Sequence, residues 1–512
     1  MKILLSIFVL LAQAILVGTL HAKESEKHIK KNVPSIPLLL ERSGIPGLSL
    51  AIINSDGSYK IKNYGLEHVQ EDTVVSDNTV FEAASLSKPV LSYITLKLIE
   101  DGELTLDTPL HTIYQEPRFS SNDYAKLLTP RLILSHQSGL PNWGGETLEF
   151  KFKPGTQFQY SGEGYLYLQK CLEKLSGLDY QSLAEREVFR PLKMKDSRFT
   201  WSSSESINKA TGHNQAVIPQ PREIPSTNAA ASLNTTASDY AKFIATWFTA
   251  EVFSKNLRKE AFTTQVAINN ESDKESSKAK SNKTQLGWGL GWGISTTDSS
   301  TDTNGKSEHL AWHWGDNGIF RAFTVLDLKN KRAMVYFANS QNGLSITKAL
   351  GEITNFNLTS IVDWLGYGQS DTELWQAMFK GYQAEAKKDY VKAIDLFKKV
   401  VEGFPDNKRI ANRIVWMETL LKSNNLKLQL SKAQLKALAG NYGDRKIELE
   451  NGKLYYSRNS GKRHELKPLT ENLFAVGEAY EFRLEAKYEG SKVTRLVGHY
   501  ISGYSHQSAR SD

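Results

Sequence analysis

A serine, a lysine, a tyrosine and a histidine of this 512-residue chain have the types and spacing that acyl-transfer chemistry asks for. In Phe81-Glu82-Ala83-Ala84-Ser85-Leu86-Ser87-Lys88 the lysine follows Ser85 by three positions. That separation sets two side chains next to each other on a helix. A serine hydroxyl is a weak nucleophile until a base takes its proton, and a lysine amine stripped of water can be that base. The start of a helix adds free N–H groups and partial positive charge where an oxyanion would develop. Pro89 suits the first turn. The Ser-x-x-Lys pattern alone carries little weight, because it occurs four times, at Ser85, Ser206, Ser277 and Ser345. Ser206 and Ser277 stand in polar stretches, and Ser345 opens a later helix as a candidate cap. Ser85 follows an apolar approach and precedes a buried helix; a capping role there is compatible with a nucleophilic one.

Two further phrases carry candidate groups. Pro154-Gly155-Thr156-Gln157-Phe158-Gln159-Tyr160-Ser161-Gly162 holds a phenol, and Leu310-Ala311-Trp312-His313-Trp314-Gly315-Asp316-Asn317-Gly318 holds the one His-x-Gly of the chain. A strand that carries a polar group and then a glycine can edge a pocket, the glycine letting a substrate backbone come close. Taken singly, Tyr160 reads as a half-buried aromatic and His313 as a satisfied strand residue. The 11 histidines include no His-Glu-x-x-His and no Cys/His cluster, so neither a metal nor a cofactor is expected. The single cysteine, Cys171, excludes an intramolecular disulfide. It shares a helix face with Leu168, Leu172 and Leu175, which makes it a core residue.

Together, in this order and spacing, the phrases resemble the serine β-lactamase / penicillin-binding-protein-like family, nearest its class C β-lactamase and esterase branch. Leu134-Ser135-His136-Gln137-Ser138-Gly139-Leu140-Pro141, Thr235-Thr236-Ala237-Ser238-Asp239-Tyr240-Ala241-Lys242-Phe243 and Gly287-Trp288-Gly289-Leu290-Gly291-Trp292 add to the likeness, which spans about residues 35–365. The resemblance implies that Ser85 attacks an ester, amide or lactam carbonyl while Lys88, alone or with Tyr160, takes its proton. It implies an oxyanion hole from the backbone N–H groups of Ser85 and Asp316. It also places Gly162, His313, Trp314 and Gly315 in substrate binding, with His313 bonded to Tyr160 or facing a substrate carboxylate. Two departures stand out. Gly162 replaces an asparagine whose amide holds the substrate's acyl amide, and His313-Trp314-Gly315 replaces Lys-Thr-Gly. A histidine is a cation only when the pH falls near about 6.5. Both changes favour an esterase or a D-amino-acid peptidase over β-lactam turnover. The expected partner is a small acyl or peptide substrate, with cell-wall material among the sources. A penicillin-binding-like module that holds peptide or peptidoglycan with little catalysis is the alternative.

The elements that must position these groups read as α+β. Strands are expected at 48–53, 58–64, 286–295, 309–314, 320–328 and 333–339, with helices at 85–100 and 345–365 and a mixed helical middle over 120–230. Strands at both ends of a helical middle imply one antiparallel sheet in which the first two strands join the last. The resemblance adds an all-helical subdomain. Residues 271–283 read as a solvated polar insertion. From 369 the character changes: a helix at 382–401 and another at 409–422 resemble one tetratricopeptide-type pair, read here as a linker over 369–428. A small β-rich, lipocalin-like domain follows over 429–512, with a hairpin turn at Asn451-Gly452. Lys2, an apolar run over 3–20 and Ala22 form an export signal over 1–22, leaving a hydrolase domain over 23–368 in a periplasmic or secreted protein. An uncleaved anchor is the other reading of that run, and no later segment reaches the about 18 apolar residues of a membrane span. The net charge of +7 is spread thinly, which gives nucleic-acid binding no support.

Overall fold

The computed structural model describes residues 34–511 apart from 205–207, 250–251, 269–283, 298–307, 368–372, 427, 460, 478 and 480. The expected export signal, the polar insertion and the lysine-spaced serines at 206 and 277 lie outside the described residues. The chain divides into two compact units, one running to residue 371 and the other from residue 372.

The first unit is built on a nine-stranded antiparallel sheet. Its strands are β1 (Gly47–Ile53), β2 (Tyr59–His68), β3 (Thr73–Val74), β6 (Val266–Ala267), β7 (Thr284–Trp288), β8 (Gly293–Thr297), β9 (Glu308–Asp316), β10 (Arg321–Asp327) and β11 (Arg332–Ala338). The order β3-β2-β1-β11-β10-β9-β8-β7-β6 joins the first strands to the last, with Leu50 opposite Tyr336. A separate two-stranded ladder pairs β4 (Phe81–Ala84) with β5 (Leu233–Thr235). Both faces of the large sheet are covered, so its central strands are apolar on both sides. Along β11, Ala333, Val335 and Phe337 enter one core with the helices α1 (Ser87–Glu100), α2 (Gly162–Ser176) and α3 (Ala237–Thr249). Met334, Tyr336 and Ala338 enter a second core on the opposite face. Side chains alternate across a strand, so one segment serves two cores. Cys171 is buried in the first core, and burial pushes its thiol up to about 12, which makes it inert.

Three sequence expectations change. The stretch 286–295 is a hairpin, not one strand: Gly291 takes φ +86°, and a Cβ there would lie 2.4 Å from the Ser92 Cβ. The stretch 345–365 is broken at Asn355, with φ +62°, into Thr347–Ile353 and Thr359–Leu365. Helix α1 begins at Ser87, so Ser85 stands before it.

The second unit opens with helices Glu373–Ala386, Tyr390–Gly403 and Lys408–Leu426. The helix expected at 382–401 is two, because Lys388 turns at φ +60° and the Asp389 side chain caps the Lys392 N–H. An eight-stranded antiparallel sheet in sequential order follows, barrel-like, with its own core around Tyr442, Ile447, Phe474, Leu484 and Leu496. Asn451 and Gly452 take φ +50° and +77°, the type I′ turn their residue types demand. Arg413 binds Glu385 at 2.7 Å and Glu481 at 2.9 Å, tying helices and sheet within this unit. Among the described residues no helix is long and apolar enough to cross a membrane.

Candidate active site

Ser85 is presented by a sharp turn. Ala84 ends β4 with φ +49°, a left-handed conformation that costs a non-glycine residue about 1 kcal/mol or more. Leu86 N–H then bonds Ala83 O at 3.0 Å and Lys88 N–H bonds Ser85 O at 3.0 Å, which starts α1. Leu86, not Ser85, is the N-cap, and no side chain caps this helix. The Ser85 hydroxyl is therefore not spent on capping, and it is partly exposed. Ser87 fixes the turn from behind: its Oγ donates to Ala84 O at 2.6 Å and accepts from Leu233 N–H at 3.0 Å.

Lys88 is wholly buried. Its Nζ lies 3.1 Å from Ser85 Oγ and donates to Ala230 O at 2.8 Å. Neither partner is an acid, and burial holds the amine well below its ordinary value. An amine depleted of charge in this way can take the serine proton across that contact. Nζ also sits 4.6 Å from the centre of the Tyr160 ring.

Tyr160 precedes α2, whose N-cap Ser161 accepts from Gly164 N–H at 2.9 Å. The phenol oxygen is buried without a full hydrogen-bond partner. Burial pushes the phenol pKa well above its ordinary value, making it a weaker acid, and the nearby Ser85 hydroxyl offsets part of that rise. The ring is clasped by His136 at 4.2 Å, Trp314 at 4.9 Å and Trp288 at 5.9 Å, centre to centre. His136 grips both neighbours of Tyr160. Its carbonyl accepts from Gln159 N–H at 2.8 Å and its Nδ1 accepts from Ser161 N–H at 3.0 Å. The proton of this neutral imidazole is thus on Nε2. Burial holds His136 well below its usual range.

His313 joins the cluster from β9, its ring 6.2 Å from that of Tyr160. Its expected partners are corrected. Nδ1 donates to Trp314 O at 2.8 Å, and neither Tyr160 Oη nor His313 Nε2 has a hydrogen-bond partner. The ring is fully buried, and that burial pushes it down to about 3. It is a neutral wall of the site, not a cation for a substrate carboxylate. At Gly315 a Cβ would meet Ala83 O at 2.4 Å. That glycine lets β9 pack closely against β4, the strand that leads to Ser85. Asp316 ends β9, its carboxylate held by Arg321 and by Tyr367 Oη at 2.7 Å. Gly162 N–H donates to Asn142 O and to Asn142 Oδ1, each at 3.0 Å.

The four groups singled out by spacing thus converge from three chain segments. Sequence reasoning missed His136 as a functional residue, although its phrase was noted for the resemblance. It missed the Ala230 carbonyl outright, since a backbone acceptor has no motif. Among the described residues, no group of three or more His, Cys, Asp or Glu is placed to hold a metal. Chemically, the arrangement offers a hydroxyl, a neutral amine in contact with it, and a phenol beside both.

Comparison with known proteins agrees. A family model described as Beta-lactamase matches residues 35–351. Protein flp of Staphylococcus aureus strain MW2 is 23% identical over 323 residues, covering 59% of this chain and 61% of that one. Penicillin-binding protein 4* of Bacillus subtilis strain 168 is 26% identical over 269 residues, covering 45% of this chain and 58% of that one. The chain thus spans about three fifths of the length of these curated relatives. Among solved structures, the octameric penicillin-binding protein homologue from Pyrococcus abyssi aligns with TM-score 0.51 and 17% identity, over 94% of this chain and 96% of that one. The D-alanine carboxypeptidase AmpC from Burkholderia cenocepacia aligns with TM-score 0.51 and 18% identity, over 65% of this chain and 99% of that one.

Proposed function

The chain belongs to the beta-lactamase family, and on that premise we propose that it is an exported serine hydrolase acting on small esters or amides through an acyl-serine intermediate. The observation that carries the reading is the buried Lys88 amine, 3.1 Å from the Ser85 hydroxyl and without an acid partner. In the proposed cycle Ser85 Oγ bonds to the acyl carbon as its proton passes to Lys88 Nζ. The oxyanion is held by the N–H groups of Ser85 and Asp316, donors worth about two to three orders of magnitude in rate. Tyr160 relays a proton to the leaving alcohol or amine as the C–O or C–N bond breaks. Water then takes the acyl group by the reverse path. Lys88 and Tyr160 act as one proton-sharing unit.

The substrate side favours an esterase or a D-amino-acid peptidase over a β-lactamase. His313 supplies no positive charge, and Gly162 supplies no amide. The second reading, a binding module with little catalysis, draws on that same loss of the amide. A fluorophosphonate probe tests both. The enzyme forms a one-to-one adduct that peptide mapping assigns to Ser85 and that Ser85→Ala abolishes; a chain that never labels is the binding module. Hydrolysis of a chromogenic cephalosporin as fast as of a short acyl ester would overturn the narrowing to esterase or peptidase.

A further inference from the structure

Gly162 is buried for a reason that points to a substrate class. A Cβ at that position would lie 2.7 Å from the Asn142 backbone O, 2.7 Å from Trp143 Cζ3 and 2.8 Å from Trp143 Cη2. The indole and the Asn142 carbonyl together fill the space into which a side chain at 162 would project. Ser161 is extended, with φ −136° and ψ 114°, so residues 160 and 162 project to the same side of the chain. Trp143 thus lies on the Tyr160 side of this segment. Its loop is pinned there: Asn142 receives the Gly162 and Glu163 N–H groups, and Gly144 N–H donates to Glu163 Oε1 at 3.0 Å. The indole is nevertheless 51% exposed, one of the few large apolar side chains of the described residues left open. On the Tyr160 ring itself packs Trp314, 4.9 Å away and partly exposed. The resemblance puts an amide at 162 and a small hydroxyl at 314. Both polar groups are missing, and an indole stands in each place.

We infer that Trp143, held open by Gly162 and working with Trp314, forms the wall that receives the acyl group, and that the acyl group is aromatic or bulky and apolar. This rests on the acyl-serine reading above. A flat apolar group stacked on an indole gains aromatic contact and loses water, whereas a peptide-like acyl amide would find no partner for its N–H and C=O.

The test uses the full chain and 4-nitrophenyl esters of acetic and phenylacetic acid. Wild type should cleave the phenylacetyl ester with the higher kcat/KM, by about tenfold. Trp143→Ala should lower that ratio by about tenfold, and Trp143→Phe should keep most of it. Gly162→Asn, which drives a side chain into the indole, should lower the ratio as Trp143→Ala does. A wild-type preference for acetate, or a ratio unchanged within threefold in Trp143→Ala, overturns the inference while fluorophosphonate labelling of Ser85 leaves the hydrolase reading standing. No ester cleavage together with no labelling overturns both.

Discussion

Two buried lysines stand on either side of the nucleophile's strand, and they are handled in opposite ways. Lys209 faces Glu82, three residues before Ser85; Lys88 lies three residues after it. Lys209 Nζ is 3.2 Å from Glu82 Oε1, Arg222 also pairs with that carboxylate, and Asn317 Nδ2 donates to it at 3.0 Å. Burial pushes Glu82 up, but the Arg222 hydrogen bond and the two cations outweigh it and hold the carboxyl below its usual range. Burial lowers Lys209 while Glu82 opposes the shift. Lys88 has no such acid. Its shift is burial alone, and its neighbours are a hydroxyl and a carbonyl. A buried charge is retained for structure when it is paired, and a buried amine left unpaired loses its charge and becomes a base.

Substitution should separate these two roles. Ser85→Ala should abolish fluorophosphonate labelling and ester turnover. Lys88→Met should lower kcat/KM by about three to four orders of magnitude. Its melting temperature should stay the same or rise, because an apolar group replaces an amine held in an apolar core. A large loss of stability there would make Lys88 structural. Lys209→Met should do the reverse. It strips one cation from a fully buried carboxylate and should cost about 3 kcal/mol in urea unfolding. Glu82→Leu together with Lys209→Met should recover most of that loss, since Arg222 is exposed enough to return to water. If the double variant is as unstable as the single, the pair is not what stabilises this region.

How much of this was legible beforehand follows from what kind of signal each feature leaves. The sheet was legible because β1, β10 and β11 are mostly apolar runs, and a run buried on both faces needs no finer pattern. Ser85, Lys88 and Tyr160 were legible because reactive groups at fixed spacing leave a motif. The breaks at Asn355 and Lys388 were not, since a left-handed turn at a non-glycine residue is imposed by packing and has weak local signature. The type of His313 was visible and its burial was not: the rings of Trp288, Trp314 and Tyr160 pack around the imidazole, and burial holds it down. The glycine at 162 read as a loss of an amide. Only the packed structure gives the positive half, an indole seated in the vacated space.

Smaller effects refine the contrast. Tyr160→Phe removes the phenol and keeps the ring in its aromatic clasp, so kcat/KM should fall by about a hundredfold with little change in melting temperature. Cys171→Ala trims a core sulfur remote in role from the chemistry. It should cost about 1 kcal/mol in unfolding free energy and leave the labelling rate of Ser85 unchanged.

The pH dependence of Ser85 labelling reaches the proposed chemistry most directly. The amine acts only after it has lost its proton, so the rate should be lost as pH falls below the Lys88 value and be full above it. Burial holds His136 and His313 below the usual imidazole range, so neither is placed to supply this ionisation. The account predicts a rate constant that rises through an ionisation well below the 10.5 of an ordinary lysine, a rise that Lys88→Met removes along with most of the rate. A midpoint near 10.5, or Ser85 labelled as fast without the amine as with it, would contradict it.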